Sequence, residues 1–187
     1  FNKKNIRLMI KGKIIGLRAV EDKGLEQLKD WRNISSFRKN FREVRELNST
    51  NQKLWLNNTN SSSNDFMFVF ENIKTNEIIG AGGLLYINWI IRSADFSFYI
   101  GWNEKYIDNN GFAKEATELL ISYGFNNLNL NKIWMELYEF DKEKLDFFMN
   151  KFTFKLDGVL RDNCFEEGKY WDSKIISLTK SDYENEK

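Results

Sequence analysis

The stretch at 108–116, with the sequence DNNGFAKEA, places small polar residues and a glycine directly before a helical pattern. The first N–H groups of a helix lack partners inside the helix, so such an entry can bind an anion. Gly111 has no Cβ and allows the backbone to approach a ligand closely. An ordinary helix cap explains the same residues, and the stretch alone leaves both interpretations open.

The chain has no histidine and one cysteine, Cys164. Acid–base chemistry must therefore use carboxylates, Tyr, Lys, water or the backbone, and histidine-dependent nucleophiles are excluded. The run at 93–101, SADFSFYIG, alternates as a β-strand does, and Asp95 is its one acidic residue. Asp95 is thus a candidate acid–base group, with a solvated residue on an exposed strand face as the alternative.

The elements that must position these residues follow from hydrophobic periodicity and turn signals. We predict strands at 12–20, 66–73, 78–90, 93–101 and 132–140, helices at 21–33, 49–58, 111–125 and 141–152, and a closing hairpin at 154–180 around EEGK. Ser49 or Thr50 is the expected N-cap of the second helix and Asp141 that of the last. Segment 35–47 is read as a short helix and loop. Short connections make the three central strands antiparallel, so the fold class is α+β (mixed α/β), in one domain over 1–187.

The composition of the chain argues against several classes of function. The 187 residues carry 28 basic and 27 acidic side chains, which argues against a strongly basic nucleic-acid-binding face. Cys164 alone cannot form an internal disulfide, and no metal site is expected. No apolar run reaches the roughly 20 residues that span a bilayer, and the amino terminus shows no targeting signal. We expect a cytoplasmic protein without a membrane partner; a homodimer is left open.

The segment from Asp95 to Ala116 resembles the acetyl-coenzyme-A signature of the GNAT superfamily of N-acetyltransferases, in which Q/R-x-x-G-x-G/A is the usual form. Its last four positions match Asn110, Gly111, Phe112 and Ala113. Three further segments occur in the same order as in the branch of this superfamily that acetylates ribosomal-protein alanines: IGLRAVEDKGLEQLKDWRN at the start, IIGAGGL in the middle and GKYWDSKIISL at the end. The resemblance therefore covers nearly the whole chain. Asp108 departs from the pattern, because the family has Gln or Arg there.

The resemblance implies a central, mostly antiparallel, twisted sheet flanked by helices, with acetyl-CoA as co-substrate. The backbone from Asn109 to Ala113 would hold the pyrophosphate, helped by the helix dipole. The pantetheine arm would run along Phe98, Tyr99 and Ile100, where family members splay two strands apart. Asp141 takes the place of an Asn usual at the start of the last helix. The family's tyrosine acid on that helix has no counterpart in LDFFMNKF.

Acetyl transfer requires that an amine lose a proton, and Asp95 matches the carboxylate that this branch often carries on the same strand. Glu136 and Glu139 are the second choices. A strand N–H near Tyr99 and Ile100 would stabilise the tetrahedral oxygen, as in the family. Tyr138 is a candidate acid, with an ordinary half-buried tyrosine as the alternative. Cys164 has no activating partner in view.

In the family, the helical segment after the first strand helps to wall the acceptor site. Here that segment mixes arginines with aromatics, and the final hairpin adds two more such residues: Trp31, Arg32, Arg38, Phe41, Arg42, Arg45, Arg161 and Trp171. Arginines among aromatics suit an anionic or sugar-bearing substrate, although a solvated basic face explains them too.

The sequence therefore predicts an acetyl-CoA-dependent N-acetyltransferase working by direct attack in a ternary complex. The expected acceptor is a small primary amine such as an amino-sugar nucleotide. Two alternatives remain: acetylation of a protein N-terminus, as in the ribosomal-protein type, and a non-catalytic acyl-CoA-binding module.

Overall fold

The computed structural model describes residues 10–185, and its centre is one eight-stranded sheet. The amino-terminal residues 1–9, part of the segment in which no targeting signal was predicted, lie outside the described range. In chain order the strands are β1 (Ile10–Lys11), β2 (Ile15–Ala19), β3 (Phe66–Asn72), β4 (Ile78–Asn88), β5 (Ser93–Ile100), β6 (Lys132–Tyr138), β7 (Lys155–Glu166) and β8 (Lys169–Thr179).

The sheet has the order β1-β2-β3-β4-β5-β6-β8-β7. Every neighbouring pair is antiparallel except β5 and β6, which are parallel. Parallel pairing of consecutive strands requires a crossover, and the helix between them provides it. The predicted α+β class with a mostly antiparallel sheet is confirmed.

Within the described part of the chain, six helices accompany the sheet: α1 (Leu25–Asn33), α2 (Ser35–Arg38), α3 (Ser49–Ser61), α4 (Phe112–Ser122), α5 (Lys142–Lys151) and α6 (Lys180–Asn185). A 3-10 turn at Trp102–Glu104 follows β5, and a π-helical turn at Tyr123–Asn127 follows α4. Among residues 10–185, no helix has the length and apolar character needed to cross a membrane.

The side chains of β5 alternate between the two faces of the sheet. The first face carries Phe96 and Phe98, whose rings contact Phe147 and Phe148 of α5 at centroid distances of 5.5–6.2 Å. The second face carries Asp95, Ser97 and Tyr99. Asp95 and Tyr99 are both buried and not solvated, and they contact Arg42 and Phe41 of the segment after α2. The solvated-residue alternative for Asp95 is therefore wrong.

Several element boundaries differ from the sequence prediction. The expected strand at 12–20 is a hairpin of β1 and β2, because the chain turns at 12–14. Asn48, and not Ser49 or Thr50, caps α3: its side chain accepts from Asn51 N at 2.9 Å, and Asn51 reciprocates. That helix continues to Ser61, beyond the predicted end at 58. Asp141 caps α5 as predicted, accepting from Lys144 N at 3.2 Å.

The β1–β2 hairpin is tied to α4 by one carboxylate. Glu115 accepts the backbone N–H groups of Lys13, Ile14 and Ile15 at 2.6, 2.8 and 2.7 Å. Hydrogen bonds to an ionised acceptor are about twice as strong as neutral ones. This contact fixes the amino-terminal end of α4, and with it the loop at 108–111, against the edge of the sheet.

Candidate functional site

Strands β5 and β6 separate in the middle of the sheet. They pair only from Ser93 opposite Lys132 to Asp95 opposite Trp134, and then diverge. Beyond that point β5 stays paired with β4 as far as Ile100, while β6 stays paired with β8 as far as Tyr138. We call the space between residues 96–100 of β5 and the facing half of β6 the gap. The splay implied by the resemblance is thus present.

Backbone N–H groups of alternate β5 residues point toward the gap, and that of Phe98 is one of them. Ile100 N–H also points to that side, but it donates to the carbonyl of Tyr106 at 3.1 Å, and Gly101 N–H donates to Ile79 of β4 at 2.9 Å. Neighbouring N–H groups of a strand point to opposite sides, so Tyr99 N–H faces β4 and Phe98 N–H faces the gap. The geometry therefore favours Phe98, and not Tyr99 or Ile100, as the strand donor.

Asp95 lies at the inner end of the gap, where the two strands begin to part. Its Oδ2 accepts from Arg42 Nη1 at 2.8 Å, and Arg42 Nε lies 3.8 Å from Glu136 Oε2. Asp95 and Glu136 share the second face and are 8% and 16% exposed, whereas Arg42 is 48% exposed. We call these two acids the carboxylate pair. Burial raises the pKa of Asp95, and the Arg42 charge opposes that rise.

The mouth of the gap is closed by a polar contact between its two sides. Tyr106, in the loop after β5, donates from its hydroxyl to Asp141 Oδ2 at 3.1 Å. Burial raises the pKa of Tyr106 well above its usual value and also raises that of Asp141. A cavity of about 420 Å³ adjoins this contact, and Phe37, Lys39, Tyr106, Phe140, Asp141 and Glu143 are among its lining residues.

Lys144 of α5 is buried in the same region, at 6% exposure. Its ammonium lies 4.6 Å from the ring centroid of Tyr106 and 5.6 Å from that of Phe41. Lys144 was not among the residues predicted for the site. A signal was available, because Lys144 is four residues before Phe148 and so shares the core-facing side of the helix.

A carboxylate within the loop before α4 already accepts hydrogen bonds from the amides of that loop. Asp108 is buried, and its carboxylate accepts the N–H groups of Asn110, Phe112 and Ala113 at 2.6, 3.1 and 2.6 Å. Gly111 is the N-cap of α4 with φ of 92°, in the left-handed region that favours glycine. The predicted amide cluster therefore exists, and the departure from the family pattern, Asp108, is the group that occupies it.

Two of the five arginines predicted near the acceptor site form ion pairs among the described residues. Arg42 pairs with Asp95, and Arg45 pairs with Glu43 at 2.6 Å. Arg32 stacks over the ring of Phe41 at 3.9 Å, and its buried Nε has no hydrogen-bond partner within the described residues.

Trp31 packs on the backbone at Gly101, where its ring leaves no room for a Cβ. One face of the ring is consequently used for packing between α1 and the end of β5. This explains why position 101 is a glycine although its φ of −112° is ordinary.

Tyr138 and Trp171 lie together at the far end of β6. The rings of Tyr138 and Phe140 are tilted to each other at a centroid distance of 5.4 Å, and Phe140 contacts Trp171 edge-on at 5.5 Å. Burial raises the pKa of Tyr138 and also that of Cys164 beside it. A raised thiol pKa is the opposite of what activates a cysteine, so Cys164 is not a nucleophile by this criterion.

The remaining carboxylate candidate, Glu139, follows β6, and its N–H donates to Asp172 O at 2.9 Å. The structure thus groups Asp95, Glu136, Phe98 and Asp141 around the gap. Trp171 joins a separate aromatic cluster. Among residues 10–185, no three His, Cys, Asp or Glu side chains are grouped so as to hold a metal ion.

Similar proteins share both sequence and architecture with this chain. An uncharacterised N-acetyltransferase of Bacillus licheniformis is 33% identical over 110 residues, which are 59% of this chain and 60% of that protein. Spermidine N(1)-acetyltransferase of Vibrio cholerae is 31% identical over 118 residues, 63% of this chain and 65% of that enzyme. The match thus spans less than two thirds of these relatives' length.

Solved structures match over more of the chain. The crystal structure of spermidine N-acetyltransferase from Vibrio cholerae in complex with CoA and spermine has a TM-score of 0.82 at 26% identity, covering 93% of this chain and all of that one. A dodecameric structure of spermidine N-acetyltransferase from Vibrio cholerae, in an intermediate state, has a TM-score of 0.76 at 25% identity, covering 94% and 99%.

The family model of the acetyltransferase (GNAT) domain matches residues 15–144, from β2 to the first turn of α5. That range includes the parting of β5 and β6, the amide loop before α4 and the carboxylate pair. This chain therefore belongs to the GNAT acetyltransferase family.

Proposed function

We propose that this protein is an acetyl-CoA-dependent N-acetyltransferase whose acceptor is a small polyamine. The observation that carries the proposal is the carboxylate pair at the inner end of the gap, where Asp95 and Glu136 share the single guanidinium of Arg42. The relatives named spermidine acetyltransferases support the same choice.

The charge of this site favours a cationic acceptor. Two largely buried carboxylates share the half-exposed guanidinium of Arg42, so a cationic acceptor that displaces Arg42 would contact both acids, and burial strengthens that attraction. Arg42 belongs to a loop without regular structure and is half exposed, so it can be displaced by a ligand more readily than the two strand acids.

The same contacts disfavour the amino-sugar nucleotide that the sequence suggested. A nucleotide phosphate needs free guanidinium groups. Arg42, the guanidinium next to the carboxylate pair, already binds Asp95, and a phosphate placed there would be repelled by both acids.

For the coenzyme, the gap and the loop before α4 are the natural site. A slender pantetheine arm fits between strands that have parted, and Phe98 N–H can donate to it or to the reacting carbonyl. The pyrophosphate would lie at the amides of residues 109–113, at the positive end of α4. The Asp108 carboxylate accepts hydrogen bonds from three of these amides, so it would have to move away for the pyrophosphate to bind.

The proposed reaction is direct. An alkyl ammonium has a pKa of about 10, so a base near the amine lowers the barrier to attack. Asp95, with a pKa raised by burial, accepts the proton directly or through water. The amine then attacks the thioester carbonyl, Phe98 N–H stabilises the developing oxyanion, and the thiolate departs.

The test is release of free coenzyme A thiol from acetyl-CoA in the presence of spermidine, an amino-sugar nucleotide and a peptide with a free N-terminus. We expect turnover with spermidine and a loss of about 10²–10⁴-fold in kcat for Asp95→Asn, the range typical of general base catalysis. Asp30→Asn is the control, because its carboxylate is 71% exposed on α1.

Other outcomes select the alternatives. Turnover with the peptide alone would show that the enzyme acetylates protein N-termini. This is the activity of the branch that the sequence resembles. Binding of acetyl-CoA without turnover of any amine would assign a non-catalytic acyl-CoA-binding module.

We further propose that the protein assembles with copies of itself through β7. This edge strand has β8 as its one strand partner and exposes Leu156, Val159 and Leu160 at 48%, 45% and 43%. Apolar edge strands left open invite pairing or covering. Sedimentation velocity should show an oligomer that Leu160→Glu dissociates, and a monomeric wild-type protein would refute this part of the proposal.

A further inference from the structure

A lysine from one side of the sheet reaches the other side through the gap. Helix α5 packs on the first face through Phe147 and Phe148. Phe41 packs on the second face against Tyr99, at a centroid distance of 5.5 Å. The Lys144 ammonium lies 5.6 Å from the Phe41 ring. Its side chain therefore passes between the diverging strands, in the space assigned above to the thioester.

Charged groups from three elements surround this ammonium. Asp141 and Glu143 come from the start of α5, and Asp95 comes from β5; all three attract it. Arg32 of α1 repels it. The rings of Tyr106 and Phe41 supply the rest of its surroundings. A cation held this way is positioned by charge and by aromatic faces rather than by a tight ion pair.

We infer that Lys144 is the general acid of the reaction and protonates the coenzyme A thiolate as it leaves. The inference rests on the proposed function, because it places the thioester in the gap. It adds a catalytic residue on α5, the helix whose sequence offers no tyrosine for this step.

Other groups near the gap are less suited to the step. The Tyr106 hydroxyl already donates to Asp141, and burial raises its pKa well above the usual value. Tyr138 lies in the cluster with Phe140 and Trp171. Burial instead lowers the pKa of Lys144 to about 8. A free thiol has a pKa of about 8.5, so proton transfer from the ammonium to the thiolate is nearly balanced in energy.

The protons balance over one turnover. The acceptor ammonium gives its first proton to Asp95, and the neutral amine forms the new C–N bond. The C–S bond breaks, and the sulfur takes a proton from Lys144. The nitrogen of the product loses its second proton. One of the two acceptor protons restores Lys144, and the other leaves to solvent, so acetyl-CoA and an ammonium yield an amide, free thiol and one proton.

The test compares Lys144→Met and Lys144→Arg with wild type, using thiol release against pH and calorimetric binding of acetyl-CoA. Methionine keeps an unbranched stem without a proton. Arginine keeps the charge, but its pKa is too high for it to give up a proton in the reaction. We expect wild-type kcat to fall as pH rises through about 8, because the acid must be protonated. Both variants should lose about hundredfold in kcat and lack this limb, while binding acetyl-CoA within threefold of wild type.

A Lys144→Arg enzyme with kcat near wild type would overturn the inference, because charge alone would then suffice. An unchanged alkaline limb in either variant would overturn it as well. If Lys144→Met does not fold, Lys144→Arg decides the question. A wild-type protein that releases no thiol with any amine removes the proposed function itself, whereas active variants remove only the role of Lys144.

Discussion

The guanidinium of Arg42 lies 2.8 Å from Asp95, and the two residues are 53 positions apart in the sequence. The arginine comes from the irregular segment after α2, and the aspartate comes from the centre of the sheet. A half-exposed loop thus supplies the counter-charge for the proposed base. Changes in the loop should therefore alter the protonation of Asp95 without touching the strand.

Replacing Arg42 with alanine should shift the acid limb of the pH–activity profile. Burial raises the pKa of Asp95 and Arg42 lowers it, so removing Arg42 raises that pKa further. A base works only when deprotonated, so activity in Arg42→Ala should be lost at a higher pH than in wild type. Thiol release measured from pH 5 to 9 reports the shift. Arg45→Ala is the control, since Arg45 pairs with Glu43 at the surface; an equal shift there would contradict the assignment.

Glu136→Gln should separate acceptor binding from chemistry. Glu136 carries one of the two charges of the carboxylate pair, but Arg42 lies closer to Asp95. We expect KM for spermidine to rise about tenfold, as for loss of one charged contact of roughly 1.4 kcal/mol, with kcat nearly unchanged. Steady-state kinetics with Glu139→Gln as the matched control provides the measurement. A fall in kcat with constant KM would instead make Glu136 the base.

Asp108→Asn should strengthen coenzyme binding and weaken the fold. The carboxylate of Asp108 occupies three amides that the pyrophosphate would need. Removing its charge removes a competitor, and we expect about tenfold tighter acetyl-CoA binding by calorimetry. Charge-assisted bonds are lost in exchange, so the free energy of unfolding should fall by about 1–2 kcal/mol. Equal affinity in both proteins would show that the pyrophosphate binds elsewhere.

Glu115→Gln should lower stability through the attachment of the β1–β2 hairpin. The carboxylate accepts three backbone N–H groups, and an amide has only one acceptor oxygen to offer them. We expect the free energy of unfolding to fall by about 1.5–3 kcal/mol, the usual value for hydrogen bonds to a charged group. Urea denaturation measures this. Glu118→Gln, on the exposed side of the same helix, should stay near wild type.

Much of the fold followed from local patterns. The alternation at 93–101 predicted β5, and the short connections between the three central strands predicted the antiparallel pairing of β3 with β4 and of β4 with β5. The hairpin around EEGK is present as β7 and β8. The errors occur where the signal is weak: the turn at 12–14 interrupts a β-rich run, and Asn48 outcompetes the adjacent Ser49 and Thr50 as a cap.

The site was less predictable, because its contacts are not local. Asp95 was identified from its strand, but its partner Arg42 can be found only in three dimensions. The conformation of the loop before α4 decides that Asp108 folds back onto the amides, and the residue type alone does not. Lys144 was overlooked because a lysine is rarely buried, and the parting of two strands creates the space for it.

Trp31 rests on Gly101 with no room for a methyl group between them. Helix α1 is consequently in direct contact with the last residue before the 3-10 turn. Under the proposed function, a shift of α1 on acceptor binding would press on the end of β5, which borders the gap assigned to the coenzyme. Entry of the two substrates would then be coupled through a single indole ring.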